Sequence, residues 1–173
     1  NDPFGKVNPP LRIEKERKHL WGRWDRIDII ASDHAPHTRA EKAQDFSCAP
    51  SGIPGVETLL PLLLARVIDG KIPLQSVIEK TSYKPAELLG IPRAGFSVGD
   101  RADFALYKRN PTPITTEMLH SKCGWTPFEG HFALFPATVI MGGKVVYQDG
   151  EFFKADPHWF SGKGMTSKVS ERS

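Results

Sequence analysis

The stretch that most constrains the fold is residues 27–38, where an apolar run leads directly into polar, titratable side chains. The run at 27–31 is almost continuously apolar, which is typical of a strand covered on both faces in a parallel sheet. Its C-terminal end carries Asp33, His34 and His37. Catalytic groups of parallel barrels and open sheets lie at that end, because the strand fixes their position and the following loop leaves them open to substrate.

Each of these residues also has a simpler interpretation. An Asp after a strand commonly caps a helix or forms a turn, and an isolated His is commonly a structural residue. Here one carboxylate and two imidazoles fall close together, and Pro36 stiffens the backbone between them. The residues alone leave a catalytic cluster and a structural turn both open.

The composition excludes several classes of protein. The 173 residues are 39% hydrophobic and 25% charged, as in an ordinary soluble globular chain. The net charge of +3 comes from 23 basic and 20 acidic residues mixed along the sequence, so no basic stripe predicts a nucleic-acid partner. The longest apolar stretch, 58–68, is too short to span a bilayer, and the N-terminus has no signal pattern. We therefore expect a cytoplasmic protein without a membrane partner.

The two cysteines, Cys48 and Cys123, are isolated in the sequence. Without a Cys-x-x-Cys spacing they predict neither a disulfide framework nor a thiolate zinc site.

The N-terminal part of the chain has the pattern of one strand, helix, strand unit. Residues 5–8 predict a short strand that is broken by the following Pro-Pro. Apolar residues from Ile13 to Trp24 recur at helical spacing and predict an amphipathic helix that leads into the strand at 27–31. The polar, turn-rich loop at 38–55 follows, and composition leaves a functional loop and a plain connection both open.

The middle of the chain is predicted to be helical. Residues 56–69 read as an apolar core helix that stops at Gly70. Residues 74–89 read as two short helices broken before Pro85.

The character changes to β structure further on. A turn and a strand are predicted at 98–107, and two strands at 137–147 flank the hairpin signal Gly142-Gly143. The tail at 156–173 has little apolar content and is predicted to be frayed.

Two motifs carry a family resemblance: Val-Asn-Pro-Pro-Leu-Arg at 7–12 and Ser-Asp-His-Ala-Pro-His-Thr at 32–38. With them the sequence resembles the C-terminal part of a dihydroorotase, in the amidohydrolase superfamily of metal-dependent hydrolases. Hydantoinases and allantoinases have a similar Ser-Asp-His opening, but they usually lack the Ala-Pro-His continuation and the Asn before Pro-Pro. The resemblance weakens from 112 to 136 and in the tail.

The resemblance implies an α/β fold, namely the C-terminal portion of a TIM (β/α)8 barrel of amidohydrolase type plus a small β-sandwich subdomain. Residues 1–92 would belong to the barrel, 93–155 to the sandwich and 156–173 to the tail. A TIM barrel takes about 250 residues, whereas only two barrel strands can be found here. We therefore expect a fragment whose partner is the missing N-terminal half of the barrel.

The resemblance also assigns roles to individual residues. Asp33 matches a carboxylate that binds zinc and serves as catalytic general base. Asn8 and His37 match residues that bind the substrate, and Ser51 and Gly52 match loop positions whose backbone reads the pyrimidine edge. One or two zinc ions are implied, with the remaining ligands in the N-terminal part, since the six histidines offer no His-x-His pair.

His34 belongs to the same motif, but it is not carried over as a ligand. A structural role is expected for it.

The implied activity is the reversible hydrolysis of the cyclic amide of (S)-dihydroorotate to N-carbamoyl-L-aspartate in de novo pyrimidine biosynthesis, with the isolated fragment inactive. Two alternatives remain open. One is another cyclic amidohydrolase, a hydantoinase or allantoinase. The other is a non-catalytic dihydroorotase-like scaffold for aspartate transcarbamoylase. Besides the small-molecule substrate, a homodimer and an association with aspartate transcarbamoylase are the partners considered.

Overall fold

The computed structural model describes residues 2–156 and 159–162. Its helices are α1 (Glu14–Trp21), α2 (Arg39–Lys42), α3 (Leu59–Ile68), α4 (Leu74–Ile78) and α5 (Lys84–Leu89), with a π-helical segment (Glu79–Tyr83) between the last two and 3-10 turns at Pro3–Gly5, Trp24–Arg26 and Thr116–Met118. Its strands are β1 (Phe104–Tyr107), β2 (Thr112–Pro113), β3 (Phe132–Ala133), β4 (Pro136–Met141), β5 (Lys144–Gln148) and β6 (Glu151–Phe152). The prediction of a frayed tail falls mainly on residues 157–158 and 163–173, which lie outside the described residues.

The predicted strand at 5–8 is wrong. The chain instead forms the 3-10 turn Pro3–Gly5, where the side chain of Asp2 accepts a hydrogen bond from Phe4 N at 3.0 Å. The carbonyl of Lys6 then accepts from Gly52 N at 3.0 Å. A strand needs a neighbour along its length, and this single bond to a loop does not supply one.

The predicted strand at 27–31 is also wrong. The segment is held by Lys80, whose carbonyl accepts from Ile30 N at 3.0 Å and whose ammonium donates to Ile27 O. Ile29 is 36% exposed, so the segment is not covered on both faces. The apolar pattern is typical of a strand inside a sheet. A strand also needs a neighbouring strand to bond with, but here Ile30 bonds to Lys80, which lies in the π-helical segment.

The core lies between α3, α4 and the end of the first helical region. Its buried members are Trp24, Leu63, Ile72 and Val77. Trp24 Nε1 donates to Ser76 Oγ at 2.7 Å, which satisfies the polar edge of the buried indole. The predicted helix is confirmed as α1, but its apolar face is not buried as expected: α1 has no buried residue, Leu20 is exposed, and Trp24 reaches the core from the following 3-10 turn.

The helix predicted at 56–69 is confirmed as α3, which begins later, at Leu59. Gly70 ends it as expected, with φ of +69° and its N–H donating to Val67 O at 2.9 Å.

The predicted break before Pro85 is wrong, because helical structure continues through it as a π-helical segment. Lys84 N–H bonds to Glu79 O, the i→i+5 pattern. In the same pattern residue 85 would donate its N–H to Lys80 O, but proline has no N–H and this hydrogen bond is missing. Ile30 N supplies the donor instead, so the proline leaves a carbonyl open for the segment that leads to the polar cluster.

The C-terminal β structure is confirmed in its strands. An antiparallel sheet has the order β1-β4-β5-β6, and β2 pairs with β3 in a separate two-stranded ladder. Met141 pairs with Lys144 around Gly142 and Gly143, whose φ values of +55° and +78° suit the two-residue hairpin turn that the sequence predicts.

Helices and strands together make the described chain an α/β structure. Contacts cross the predicted boundary at residues 92 and 93: Leu134 N donates to Pro61 O at 3.0 Å, and Arg39 Nε donates to Gly124 O at 2.7 Å. The three-part division of the chain stays a prediction. Among the helices of the described residues, none is long and apolar enough to cross a membrane.

Candidate functional site

The polar cluster after Ile30 packs against the loop at 50–56. Ala35 N donates to Ile53 O at 3.1 Å. The ring of His34 accepts two backbone hydrogen bonds at Nδ1, from Gly55 N at 3.0 Å and from Val56 N at 3.2 Å. His34 therefore holds the loop in place, which agrees with the structural role expected for it.

Asp33 has an uncommon backbone conformation. Its φ is +45°, a left-handed value that costs a non-glycine residue about 1 to 2 kcal/mol and that Asp tolerates better than most residues. The hydrogen bonds of Ile30 before it and Ala35 after it fix the chain on both sides. Strain of this kind motivates a hypothesis of function, and the exposed Asp33 is open to a reacting group.

His37, Ser51 and Gly52 are brought together. The carbonyl of Ser51 accepts a hydrogen bond from His37 Nε2 at 3.2 Å. Gly52 has φ of +139°, and a Cβ added there would lie 2.5 Å from Ala35 O. The close approach of the two segments therefore requires a glycine.

Asn8 and Asp33 are linked to this cluster through neighbouring residues of their segments. Asn8 is exposed and follows Lys6, whose carbonyl accepts from Gly52 N. Asp33 begins the segment that carries His37. The structure thus joins His37, Ser51 and Gly52 directly and places Asn8 on a segment that contacts them.

Sequence reasoning missed Lys42, which it placed in an undifferentiated polar loop. The side chain is 0% exposed, and its Nζ donates to Lys6 O at 3.0 Å and to Pro50 O at 2.9 Å. Burial, followed by the charge of Lys6, lowers the pKa of Lys42. The pattern that could have found the helix carrying it is Thr38-x-x-Glu41, a capping box that the structure confirms at the start of α2.

Sequence reasoning also missed Trp125. It is 5% exposed, its Nε1 donates to His37 O at 2.7 Å, and its ring packs edge-on against Phe4 with centroids 5.1 Å apart. It falls in the stretch where the family resemblance weakens, and no local pattern marks it as part of the site.

A metal centre is not complete in this part of the polypeptide. No group of three His, Cys, Asp or Glu residues that could hold a metal ion occurs within 2–156 and 159–162. Since a catalytic zinc takes three protein ligands, the described residues do not by themselves fit one.

Individual proteins of known family are similar to this chain in sequence and in structure. No family model matches the chain. It is 44% identical over 97% of its length to a dihydroorotase of Methanosarcina acetivorans, and 46% identical over 88% to one of Halobacterium salinarum. It spans 38% and 37% of the length of these curated relatives. A solved D-hydantoinase (dihydropyrimidinase) from Thermus sp. is similar with a TM-score of 0.80 and 28% identity, over 88% of this chain and 36% of that one.

The fold and these similarities place the chain in the amidohydrolase class. Within that class it belongs to the dihydroorotase family, as a segment from the C-terminal part.

Proposed function

We propose that the complete polypeptide carrying this chain catalyses the reversible hydrolysis of the cyclic amide of (S)-dihydroorotate to N-carbamoyl-L-aspartate in de novo pyrimidine biosynthesis. The observation that carries the proposal is the contact of His37 with the Ser51-Gly52 backbone, on the segment that begins with the exposed, left-handed Asp33. The dihydroorotase name of the relatives supports the same substrate.

In this proposal His37 and Asn8 bind the substrate carboxylate and ring, and the backbone of Ser51 and Gly52 reads the ring edge. His37 Nε2 donates to the carbonyl of Ser51 in the free chain. A substrate carboxylate is a charged acceptor and makes the stronger hydrogen bond. It can therefore replace the carbonyl as the partner of His37.

Asp33 is proposed as the general base. Its carboxylate would accept the proton of the attacking water and return it to the ring nitrogen that leaves when the amide bond breaks. We also propose that Asp33 is the ligand that this chain contributes to a site of one or two zinc ions. We assign the other ligands to the rest of the complete polypeptide, because the described residues hold no group of three donors that could bind a metal ion.

We further propose the finer architecture: residues 1–92 as a C-terminal portion of a TIM barrel and 93–155 as a small β-sandwich subdomain. The TM-score of 0.80 with a hydantoinase supports it. A cytoplasmic location, a homodimer and an association with aspartate transcarbamoylase remain parts of this proposal that need their own tests.

A second candidate activity is the hydrolysis of another cyclic amide. The similarity to solved hydantoinases favours this alternative. Assaying dihydroorotate, hydantoin and allantoin with the same preparation distinguishes the two, since only the first substrate should be turned over efficiently. A folded, metal-loaded protein that acts on none of them would favour the non-catalytic scaffold.

The decisive experiment substitutes Asp33 by Asn in the complete polypeptide. We expect kcat for dihydroorotate to fall by at least about 10³-fold, because a base and a metal ligand are both lost. Asp28→Asn, an exposed position on the same segment, is the matched control and should retain activity. Near-normal turnover of Asp33→Asn, with its metal content verified, would reject the assignment.

A further inference from the structure

We propose that Lys42 and Trp125 are positioning residues, which form a buried clamp that holds the segments carrying Asn8, His37 and Ser51 in one arrangement. This inference rests on the proposed function, because those segments are the ones assigned to the substrate. Neither clamp residue is proposed to touch substrate.

Lys42 is a charged side chain buried inside the fold. Lysine is almost never fully buried unless it is paired, yet Lys42 is 0% exposed. The two acceptors recorded for its ammonium are backbone carbonyls, Lys6 O and Pro50 O. Neutral acceptors offset the desolvation of an ammonium only in part. An apolar side chain would therefore fill this space at a lower cost, and the ammonium needs another explanation.

The two carbonyls that bind the Lys42 ammonium lie next to proposed substrate-binding residues. Pro50 directly precedes Ser51, and Lys6 lies just before Asn8 in the sequence. Lys6 O also accepts from Gly52 N at 3.0 Å. One ammonium and one shared carbonyl thus fix the spacing between two segments that no regular secondary structure connects.

Trp125 connects the segment of His37 to Lys42. Trp125 donates its indole N–H to His37 O at 2.7 Å. The ammonium of Lys42 lies 6.0 Å from the centre of the Trp125 ring, within the range of a cation–π interaction. Since Trp125 is 5% exposed, the ring also shields the ammonium from water.

The base of the clamp is a capped helical turn. Lys42 is the last residue of α2, whose start is fixed by reciprocal hydrogen bonds between Thr38 and Glu41. Thr38, the N-cap of this helix, directly follows His37, so the capped turn links Lys42 to His37 over a short stretch of chain. A displacement of about 1 Å in substrate-positioning groups can cost about 100-fold in rate, which gives such a clamp its functional weight.

The test compares Lys42→Met and Trp125→Phe with wild type in the complete polypeptide, with Lys108→Met as the matched control. Lys108 is an exposed lysine that follows β1, and its ion pair with Asp149 lies at the surface, so its removal should leave KM unchanged. For Lys42→Met we expect KM for dihydroorotate to rise about 10- to 100-fold, with a smaller change in kcat because Asp33 is untouched. Trp125→Phe keeps an aromatic side chain but replaces the indole with a smaller ring and removes its N–H, so KM should also rise.

A second measurement does not depend on activity. Amide hydrogen exchange in the loop 50–55, at its non-proline residues, should become faster in Lys42→Met than in Lys108→Met. If wild type turns over no dihydroorotate, the proposed function fails, and the exchange result alone decides whether Lys42 holds the loop.

Two results would overturn the clamp. One is a folded Lys42→Met protein whose KM equals that of wild type. The other is unchanged exchange at 50–55. If Lys42→Met does not fold, Trp125→Phe replaces it in both comparisons, and a wild-type KM in that variant rejects the proposal.

Discussion

Substitution of Gly52 by Ala tests the close approach between the loop and the His37 segment. The added methyl group would lie 2.5 Å from Ala35 O and 2.7 Å from Ala35 Cβ, with His37 Cδ2 at 3.3 Å. Ala35 cannot move freely, because its N–H is bonded to Ile53 O. In Gly52→Ala the loop at 50–55 must therefore move away from the segment of Ala35 and His37, or the folded protein must be destabilised by the steric clash.

The expected magnitude has two parts. The φ of +139° is unfavourable for any residue with a Cβ, at about 1 to 2 kcal/mol. Forcing a methyl group into filled space adds about 1 to 3 kcal/mol. The sum, about 2 to 5 kcal/mol, is a large share of the 5 to 15 kcal/mol by which a typical domain is stable.

The assay is the free energy of unfolding of the complete polypeptide in denaturant, together with KM for dihydroorotate. Gly70→Ala is the matched control, since Gly70 also has a positive φ, of +69°, but nothing lies within 4 Å of its added Cβ. The control should lose only the conformational part, about 1 to 2 kcal/mol. Equal losses in the two variants, or a Gly52→Ala protein with normal KM and stability, would refute the close approach.

Three further predictions concern binding, pH and metal. His37→Ala and Asn8→Ala should each weaken dihydroorotate binding by about 1.5 to 3 kcal/mol, the value of a hydrogen bond to a charged group; unchanged KM in both variants would place these residues outside the site. The backbone N–H of Thr38 and then its side chain lower the pKa of Glu41 below its ordinary value of 4.5. The capping box should therefore contribute stability above about pH 4.5 and lose it as the pH falls through the folded pKa, so unfolding curves of wild type and Glu41→Gln should converge in acid; a gap that persists there would contradict the assignment. Residues 1–173 alone should bind zinc weakly and show no dihydroorotase activity, which equilibrium dialysis and carbamoyl aspartate cyclisation can check; tight stoichiometric zinc with turnover would disprove it.

Local patterns predicted α1 and α3, because helical periodicity and glycine stops depend on near neighbours, but they missed α2. The apolar run at 56–69 became α3 and ended at Gly70, and the Gly142-Gly143 pair became a hairpin turn. The break at Pro85 failed for a different reason. A proline removes one donor, and the helix accommodated that loss with a π turn, because Ile30 supplied a donor from elsewhere.

The strand predictions failed because a strand is a property of a pair. The apolar run at 27–31 describes a surface suited to a sheet interior, but the hydrogen bonds recorded for Ile30 and Ile27 are to Lys80. The roles assigned to the residues of the candidate site stay predictions. His37, Ser51 and Gly52 do meet, through one hydrogen bond and one close backbone approach.

The sequence by itself determined the family motifs and the local turns, and it supplied the candidates for the site, because these depend on residue type and short spacing. The tertiary structure alone decided what holds them: the left-handed φ of Asp33, the burial of Lys42 and the hydrogen bond from Trp125 to His37. Lys42 looks like any surface lysine in a polar loop until Trp125, far along the chain, covers it. Burial and hydrogen-bond partners depend on segments distant in sequence, and no local pattern records which segments will meet.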